Sequence, residues 1–179
     1  MNLPNLLTLL RILLVPVMVI LLIQESFFKA LIVFVAAGIS DGLDGFLARI
    51  LHQQTTLGAY LDPIADKALL ASSFVTLSIL HVIPGWLTVL VISRDFIILL
   101  GIMILSIMSI SVKIRPAFVS KTTTALQLST VLLALITRCL PGIWVSSWLQ
   151  PLYWLTAFFI VISGLTYIVR GLKLINGDG

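Results

Sequence analysis

Charged residues are scarce in this sequence, and so is cysteine. Only 10% of the 179 residues are charged, whereas soluble domains average about 25%. The hydrophobic share is 60% and the mean hydropathy is +1.18, which excludes both a water-soluble globule and a disordered chain. The single cysteine excludes an intrachain disulfide. The net charge of +4 is too small and too dispersed for a nucleic-acid-binding face.

Long apolar stretches make up most of the chain. A helix needs roughly 20 mainly apolar residues to cross the hydrocarbon core of a bilayer. We therefore predict an all-α integral membrane protein with six transmembrane helices, in which residues 1–179 form a single membrane domain. The first stretch contains Arg11 and follows no basic segment, so we expect a retained helix rather than a cleaved signal peptide. The predicted spans are about 4–23, 27–49, 58–80, 84–108, 118–139 and 150–172.

The loops differ in their content of Lys and Arg, and this difference predicts the orientation of the chain. Cytoplasmic loops carry an excess of these residues. An even number of spans places both termini on one side, and here that side is the richer one. We therefore expect a multi-pass protein of the cell (inner, cytoplasmic) membrane with both termini and the active site toward the cytoplasm. The richer side carries Arg49, Lys113, Arg115, Lys121, Arg170 and Lys173, and the other carries Lys29 and Arg138.

Most of the acidic residues lie inside apolar spans. Five of the seven do so, and an ionised carboxylate at a helix centre costs at least ~2.5 kcal/mol, which marks each as a functional candidate. Four of them form two pairs with spacings of three and four residues, so each pair shares one helix face. If the second and third helices form a hairpin, four carboxylates converge, and their repulsion predicts divalent cations. All-oxygen ligation favours Mg²⁺ or Mn²⁺ over zinc. The pairs are Asp41 with Asp44 and Asp62 with Asp66, and the fifth acid is Asp95.

Small residues and an arginine interleave with these acids. The small residues leave room for a bulky ligand, although they also serve helix packing in membranes. Arg49 beside a metal cluster indicates a phosphate ligand, and the alternative is an arginine that snorkels to the cytoplasmic surface. The small residues are Gly42, Gly45, Ala48, Gly58 and Ala59.

The stretch DGLDGFLARILHQQTTLGAYLDPIAD, residues 41–66, carries a long signature. Its pattern is D-x2-D-G-x2-A-R-x8-G-x3-D-x3-D, and every specified position is matched. On this pattern the chain resembles the CDP-alcohol phosphotransferase (CDP-alcohol phosphatidyltransferase) family. The matched positions are Asp41, Asp44, Gly45, Ala48, Arg49, Gly58, Asp62 and Asp66.

The resemblance implies a six-helix membrane enzyme of phospholipid biosynthesis, usually a homodimer. It implies transfer of a phosphatidyl group from CDP-diacylglycerol to an alcohol, with release of CMP. It implies two ions, Mg²⁺ or Mn²⁺, held by Asp41, Asp44, Asp62 and Asp66, the last of which is the expected catalytic base. The nucleotide is expected against Gly45, Ala48 and Gly58, with Arg49 near the phosphates.

A polar stripe on the first span is a further candidate contact for the donor. Asn5, Thr8 and Arg11 follow one another at intervals of three residues on one side of an apolar helix. Thr8 either contacts the nucleotide or bonds a neighbouring helix, and both interpretations stay open. The role of Arg11 stays open as well, together with those of Lys67, Asp95 and Gln127.

The acceptor alcohol separates two branches of the family. Residues 2–16 resemble bacterial members that form phosphatidylglycerol phosphate, and glycerol-3-phosphate is our first expectation because that branch is common in bacteria. Residues 83–95 and 115–128 instead resemble CMP-forming cardiolipin synthases, which use phosphatidylglycerol. Ile102 also stands where the first branch has a second arginine.

The candidate acceptor-binding residues are Arg94, Arg115 and Lys121. Consecutive helix residues do not face each other, so Arg94 is not expected to reach Asp95. Arg94 then either faces the cavity or pairs with an acid of another helix. Outside this family, a divalent-cation transporter is a distant alternative for the same acid cluster, although no inverted repeat of the kind found in many transporters is detectable.

Overall fold

The computed structural model describes the backbone of residues 3–50, 56–107, 118–140 and 145–175, and side chains within 8–42, 64–101, 103–104, 107, 119–140 and 147–171. Over these residues all regular structure is helical. The helices are α1 (Leu3–Ile23), α2 (Phe27–Ile50), α3 (Thr56–Ile79), α4 (Gly85–Ile107), α5 (Phe118–Cys139) and α6 (Val145–Ile175).

The helices follow the apolar stretches of the sequence, except at the start of α6. This helix begins at Val145, whereas the apolar pattern predicts a start near residue 150. Polar Ser146 and Ser147 interrupt the apolar pattern but continue the helix, and Pro151 lies within it. The apolar pattern marks where a helix can contact hydrocarbon, not where its backbone begins.

The ends of α1 and α3 are closed by the same capping arrangement. Glu25 and His81 adopt the left-handed conformation, with φ of 55° and 53°. The amide of Ser26 donates to the carbonyl of Leu21, five residues earlier, and Val82 donates in the same way to Leu77. These bonds satisfy carbonyls that the last helical turn leaves open, and they turn the chain toward the next helix.

The exterior of the described helices is unlike that of a soluble protein. Large apolar side chains cover it, whereas two arginines, several hydroxyl groups and an amide are buried together with the apolar core. This arrangement indicates a membrane protein, because lipid solvates apolar outer faces and polar groups find partners inside. The buried polar residues are Thr8, Arg11, Ser73, Thr76, Thr88, Arg94, Thr123, Gln127, Thr130, Thr156 and Ser163.

Two segments of the described residues are long and apolar enough to cross a membrane. They are Val119–Cys139 in α5 and Ser147–Gly171 in α6. A shorter apolar segment, Thr8–Ile23, lies in α1.

Hydroxyl side chains in α5 and α6 bond mainly to their own helix. Each of five hydroxyls donates to the carbonyl oxygen four residues earlier, with oxygen–oxygen distances between 2.7 and 3.1 Å. This bond satisfies a hydroxyl without a second helix. The five are Thr123, Thr124, Ser129, Thr130 and Thr166.

The chain divides into two compact units. The first contains Met1–Ile83 and Val131–Val145, and within it α1 packs against both α2 and α3. Its buried side chains include Met18, Phe34 and Phe74, and the Ser73 hydroxyl donates to the Met18 sulfur at 3.5 Å, which joins α3 to α1.

The second unit contains Pro84–Thr130 and Ser146–Gly179. The hydroxyls of Thr130 on α5 and Thr156 on α6 lie 2.9 Å apart, and Thr123 also donates to the Phe159 carbonyl of α6 at 3.2 Å. These contacts tie α5 to α6.

Candidate active site

The first unit contains a buried arginine on the inward face of α1. Thr8, Arg11, Met18 and Leu22 recur at helical spacing along α1, and each is at most 1% exposed. Arg11 is completely buried, and α1 packs against α2 and α3. The register of α1 therefore directs this guanidinium at the two helices that carry the signature.

The guanidinium bridges two aspartates from different helices. Its Nη1 lies 2.9 Å from Oδ1 of Asp41 on α2 and 2.7 Å from Oδ1 of Asp66 on α3. Ala37, one turn before Asp41, and Ala65, next to Asp66, are fully buried, and small residues allow helices to approach closely. The first and last aspartates of the signature therefore lie within reach of one nitrogen atom.

The two carboxylates remain accessible although the arginine is not. The side chain of Asp41 is 47% exposed and that of Asp66 is 42% exposed, whereas the exposure of Arg11 is 0%. The arginine therefore lies on the inner side of the carboxylates. A ligand approaching from outside meets carboxylate oxygens first.

The remaining signature side chains lie outside the described residues, although their backbones belong to α2 and α3. They are Asp44, Gly45, Ala48, Arg49, Gly58 and Asp62. Among the side chains that the structure does describe, no three acidic, histidine or cysteine residues form a metal-binding group. The convergence predicted from the sequence is thus observed for Asp41 and Asp66, and the other two aspartates stay a prediction.

A second buried arginine organises the other unit. Arg94 on α4 is 6% exposed, and its Nη1 lies 2.7 Å from Oδ1 of Asp95. Its Nη2 donates to the Ser120 hydroxyl of α5 at 2.8 Å and to the Ser163 hydroxyl of α6 at 3.0 Å. Its Nε also lies 3.3 Å from the Ser163 hydroxyl. One guanidinium therefore joins three helices.

The expectation that Arg94 does not reach Asp95 is wrong. The two Cβ atoms do point in different directions on α4, but the arginine side chain is long enough to bend back to its neighbour. The interior of this unit favours that bend, since a buried cation is retained only with a compensating partner.

The structure places the other predicted acceptor residue differently. Lys121 is exposed on the first turns of α5, and Arg115 lies outside the described residues. Gln127 is buried on α5, and within the described part of the chain its Nε2 has no hydrogen-bond partner.

Sequence reasoning did not find the two serines that hold Arg94, and it left Arg11 without a role. Ser120 and Ser163 carry no motif, and an isolated serine in an apolar helix indicates only some interhelical hydrogen bond. Arg11 did carry a signal, because a cation two turns into an apolar helix needs an acidic partner. The pattern alone does not say which acid.

The described helices have apolar outer faces and two buried arginines, each paired with aspartate, and these features define the class: a helical membrane protein with charged groups in its interior. The sequence profile of the CDP-alcohol phosphatidyltransferase family matches residues 1–166, and the chain belongs to this family. The family predicted from residues 41–66 is thereby confirmed.

Relatives with three different names resemble the chain. It is 35% identical to human "Cardiolipin synthase (CMP-forming)", over 98% of this chain and 63% of that protein. It is 33% identical to the "Probable phosphatidylglycerophosphate synthase" of Mycobacterium tuberculosis, over 98% and 84%. It is 31% identical to the "CDP-diacylglycerol--glycerol-3-phosphate 3-phosphatidyltransferase" of Bacillus subtilis, over 94% of each. The chain thus spans less than two thirds of the length of the human relative.

Proposed function

We propose that this protein transfers a phosphatidyl group from CDP-diacylglycerol to an alcohol and releases CMP. One observation carries the proposal: Asp41 and Asp66, the ends of the family signature, both contact Arg11 Nη1, at 2.9 and 2.7 Å. The accessible carboxylates give a charged site on helices whose outer faces are apolar. Such a site suits a donor with a polar head and two hydrocarbon tails.

The residues fit a divalent-cation site. Asp41 and Asp66 offer hard oxygen ligands, and the helix registers place Asp44 one turn after Asp41 and Asp62 one turn before Asp66. These four aspartates would hold two ions, Mg²⁺ or Mn²⁺. When bound, the ions supply positive charge against the pyrophosphate and the leaving CMP. The family match favours this use of the acids over a cation transporter.

Asp66 is the proposed base. The acceptor hydroxyl gives its proton to the Asp66 carboxylate, and the acceptor oxygen bonds to the phosphorus of the phosphatidyl group. The bond from that phosphorus to CMP breaks, and CMP leaves with the electron pair. Because Arg11 fixes Asp66 from the inner side and the carboxylate is 42% exposed, a hydroxyl can approach it from outside.

The donor would contact α1 and α2. We assign the nucleotide to Thr8, Gly45, Ala48 and Gly58, and its phosphates to Arg49. The assignment of Thr8 rests on its place one turn before Arg11, on the same face of α1.

We further propose six membrane spans with both termini and the active site at the cytoplasmic side of the cell membrane, and a homodimer. The loop distribution of Lys and Arg supports the orientation. Two segments, in α5 and α6, are long and apolar enough to cross a membrane. The exposed apolar side chains of the other described helices support the remaining spans.

Glycerol-3-phosphate is the proposed acceptor, and a specific observation favours phosphatidylglycerol as a second candidate. The charge of Arg94 is compensated by Asp95, and two serine hydroxyls occupy further donors. A guanidinium held in this way is poorly placed to bind the doubly charged phosphate of glycerol-3-phosphate. Of the three proposed acceptor-binding residues, Arg115 and Lys121 then remain to bind the phosphate of glycerol-3-phosphate.

The test supplies each acceptor separately. Purified protein in detergent receives CDP-diacylglycerol and Mn²⁺ or Mg²⁺, with glycerol-3-phosphate in one reaction and phosphatidylglycerol in another, and both CMP and the lipid product are measured. We expect CMP in one reaction and none after addition of EDTA. The Asp66→Asn variant should release no CMP, and Glu25→Gln, which removes an exposed acid outside the site, should match the wild type.

Product in the glycerol-3-phosphate reaction alone supports the first acceptor, and product with phosphatidylglycerol alone supports the second. Absence of CMP in both, from protein of native helix content, contradicts both acceptors. Movement of Mn²⁺ across sealed vesicles without CDP-diacylglycerol would favour the transporter instead.

A further inference from the structure

Arg11 lies outside the signature at residues 41–66, yet it contacts both ends of it. The side chain is completely buried between the helices of the first unit, and its Nη1 is 2.9 Å from Asp41 and 2.7 Å from Asp66. A buried cation is retained only where partners compensate its charge. The pairing therefore fixes three helices, α1, α2 and α3, through one side chain.

In the contacts described, both carboxylates meet the same nitrogen atom of Arg11. Because the same Nη1 bonds Oδ1 of both carboxylates, the position of that atom sets the separation of the two oxygens. A guanidinium is planar and presents its donors in a fixed fork, whereas a lysine ammonium sits at the end of a flexible stem. Geometry as well as charge is therefore supplied by the arginine.

We infer that Arg11 is a positioning residue that holds Asp41 and Asp66 at the separation at which they bind divalent cations. The inference rests on the proposed function, which assigns both aspartates to the metal site. Arg11 makes its contacts from the inner side, while both carboxylates stay nearly half exposed on the other. It acts on the ions and the substrate through these two aspartates.

Charge and positioning predict opposite effects when the arginine is removed. If Arg11 were only a nearby positive charge, its loss would strengthen the attraction of the carboxylates for a cation. If Arg11 holds the ligands in place, its loss weakens cation binding. Replacing residues that orient metal ligands typically lowers affinity about 10- to 100-fold. The sign of the change therefore separates the two roles.

The experiment measures Mn²⁺ binding without any substrate. Wild type, Arg11→Gln and Arg11→Lys are purified in detergent and titrated with Mn²⁺, and free Mn²⁺ is followed by its electron paramagnetic resonance signal. We expect binding about 10-fold weaker or more in Arg11→Gln, and a smaller loss of several-fold in Arg11→Lys, because the ammonium keeps the charge but not the fork.

A matched control removes a positive charge elsewhere in the same unit. Arg138 is exposed at the end of α5, where its guanidinium lies 5.9 Å from the ring centre of Phe27. The Arg138→Gln variant should bind Mn²⁺ as the wild type does. Equal weakening in this variant would overturn the inference, since the effect would then not depend on contact with Asp41 and Asp66.

Folding of each variant is checked by helix content and by size-exclusion elution. Wild-type or tighter Mn²⁺ binding in a folded Arg11→Gln variant overturns the inference. If that variant does not fold, Arg11→Lys decides, and wild-type affinity in it overturns the inference. Absence of Mn²⁺ binding in the wild-type protein contradicts the proposed metal site itself, whereas equal binding in wild type and variants leaves that site standing and rejects only the role of Arg11.

Discussion

Arg94 forms an ion pair with the residue that follows it in sequence, Asp95, with 2.7 Å between Nη1 and Oδ1. The pair lies on a single helix, yet the same guanidinium reaches serines on two others. It thus combines a local ion pair with long-range hydrogen bonds. Arg11 makes the complementary arrangement, since both of its described acidic partners lie on other helices.

Removing the acid of the Arg94 pair should destabilise the second unit. The Asp95→Asn variant leaves Arg94, which is 6% exposed, without its counter-ion. Breaking a buried pair by removing one partner costs about 3–5 kcal/mol, and the partial exposure of Asp95 places the expected loss near 3 kcal/mol. Unfolding in detergent, followed by tryptophan fluorescence, measures it. A free energy of unfolding equal to that of the wild type would show that Arg94 is stable without Asp95.

The Ser163 hydroxyl should contribute less than Asp95 does. It accepts from Arg94 Nη2 at 3.0 Å and faces Nε at 3.3 Å. A hydrogen bond to a charged group contributes about 1.5–3 kcal/mol, and we expect Ser163→Ala to lower the free energy of unfolding by about 1.5 kcal/mol. The same unfolding assay tests this, with Ser129→Ala as control because the Ser129 hydroxyl is exposed and bonds only to the Ala125 carbonyl among the contacts described. An equal loss in both variants would contradict the prediction.

The threonine pair between α5 and α6 should show weak coupling. The hydroxyls of Thr130 and Thr156 are 2.9 Å apart and buried. Hydrogen bonds between membrane helices average about 0.6 kcal/mol in double-mutant cycles. We expect this coupling energy from Thr130→Val, Thr156→Val and the double variant. Coupling near zero would mean that the bond from Thr130 to its own helix already satisfies the hydroxyl.

Glycine at either helix cap should stabilise the protein. Glu25 and His81 adopt positive φ values, 55° and 53°, which burden a residue with a side chain but not glycine. Glycine relieves this strain, but its greater freedom in the unfolded chain offsets part of the gain. We therefore expect replacement of either residue by glycine to raise the free energy of unfolding by up to about 1 kcal/mol. Glu25→Ala and His81→Ala are the controls and should bring no such gain. A lower stability of the glycine variants would show that the side chain at the cap makes a contact worth more than the strain.

The helices were predictable because apolar length is a direct requirement of the bilayer. Five helices begin and end within two residues of the predicted spans, and α6 departs because Ser146 and Ser147 are polar but helical. The approach of Asp41 to Asp66 was predictable as well. After a short connection, the next helix begins at the membrane depth at which the previous helix ended. Helical spacing then fixes the face on which each acid lies.

The partners of the arginines were not predictable. Spacing within one helix states which residues share a face, but not which residue of a distant helix is opposite. Arg11 and Asp66 are 55 residues apart, and Arg94 and Ser163 are 69 apart. The prediction that Arg94 does not reach Asp95 was wrong for a different reason. Helix geometry describes the directions of the Cβ atoms, whereas a guanidinium extends well beyond Cβ.

The self-bonded hydroxyls of α5 and α6 have a consequence for the assembly of the protein. A threonine that donates to its own helix carries no open donor into lipid, so Thr123, Thr130 and Thr166 do not oppose separate entry of Val119–Cys139 and Ser147–Gly171 into the bilayer. The guanidinium of Arg11 differs, because its described acidic partners lie on other helices, α2 and α3. We therefore expect α1 alone to insert poorly in a translocation assay and to insert well once α2 and α3 have been synthesised behind it.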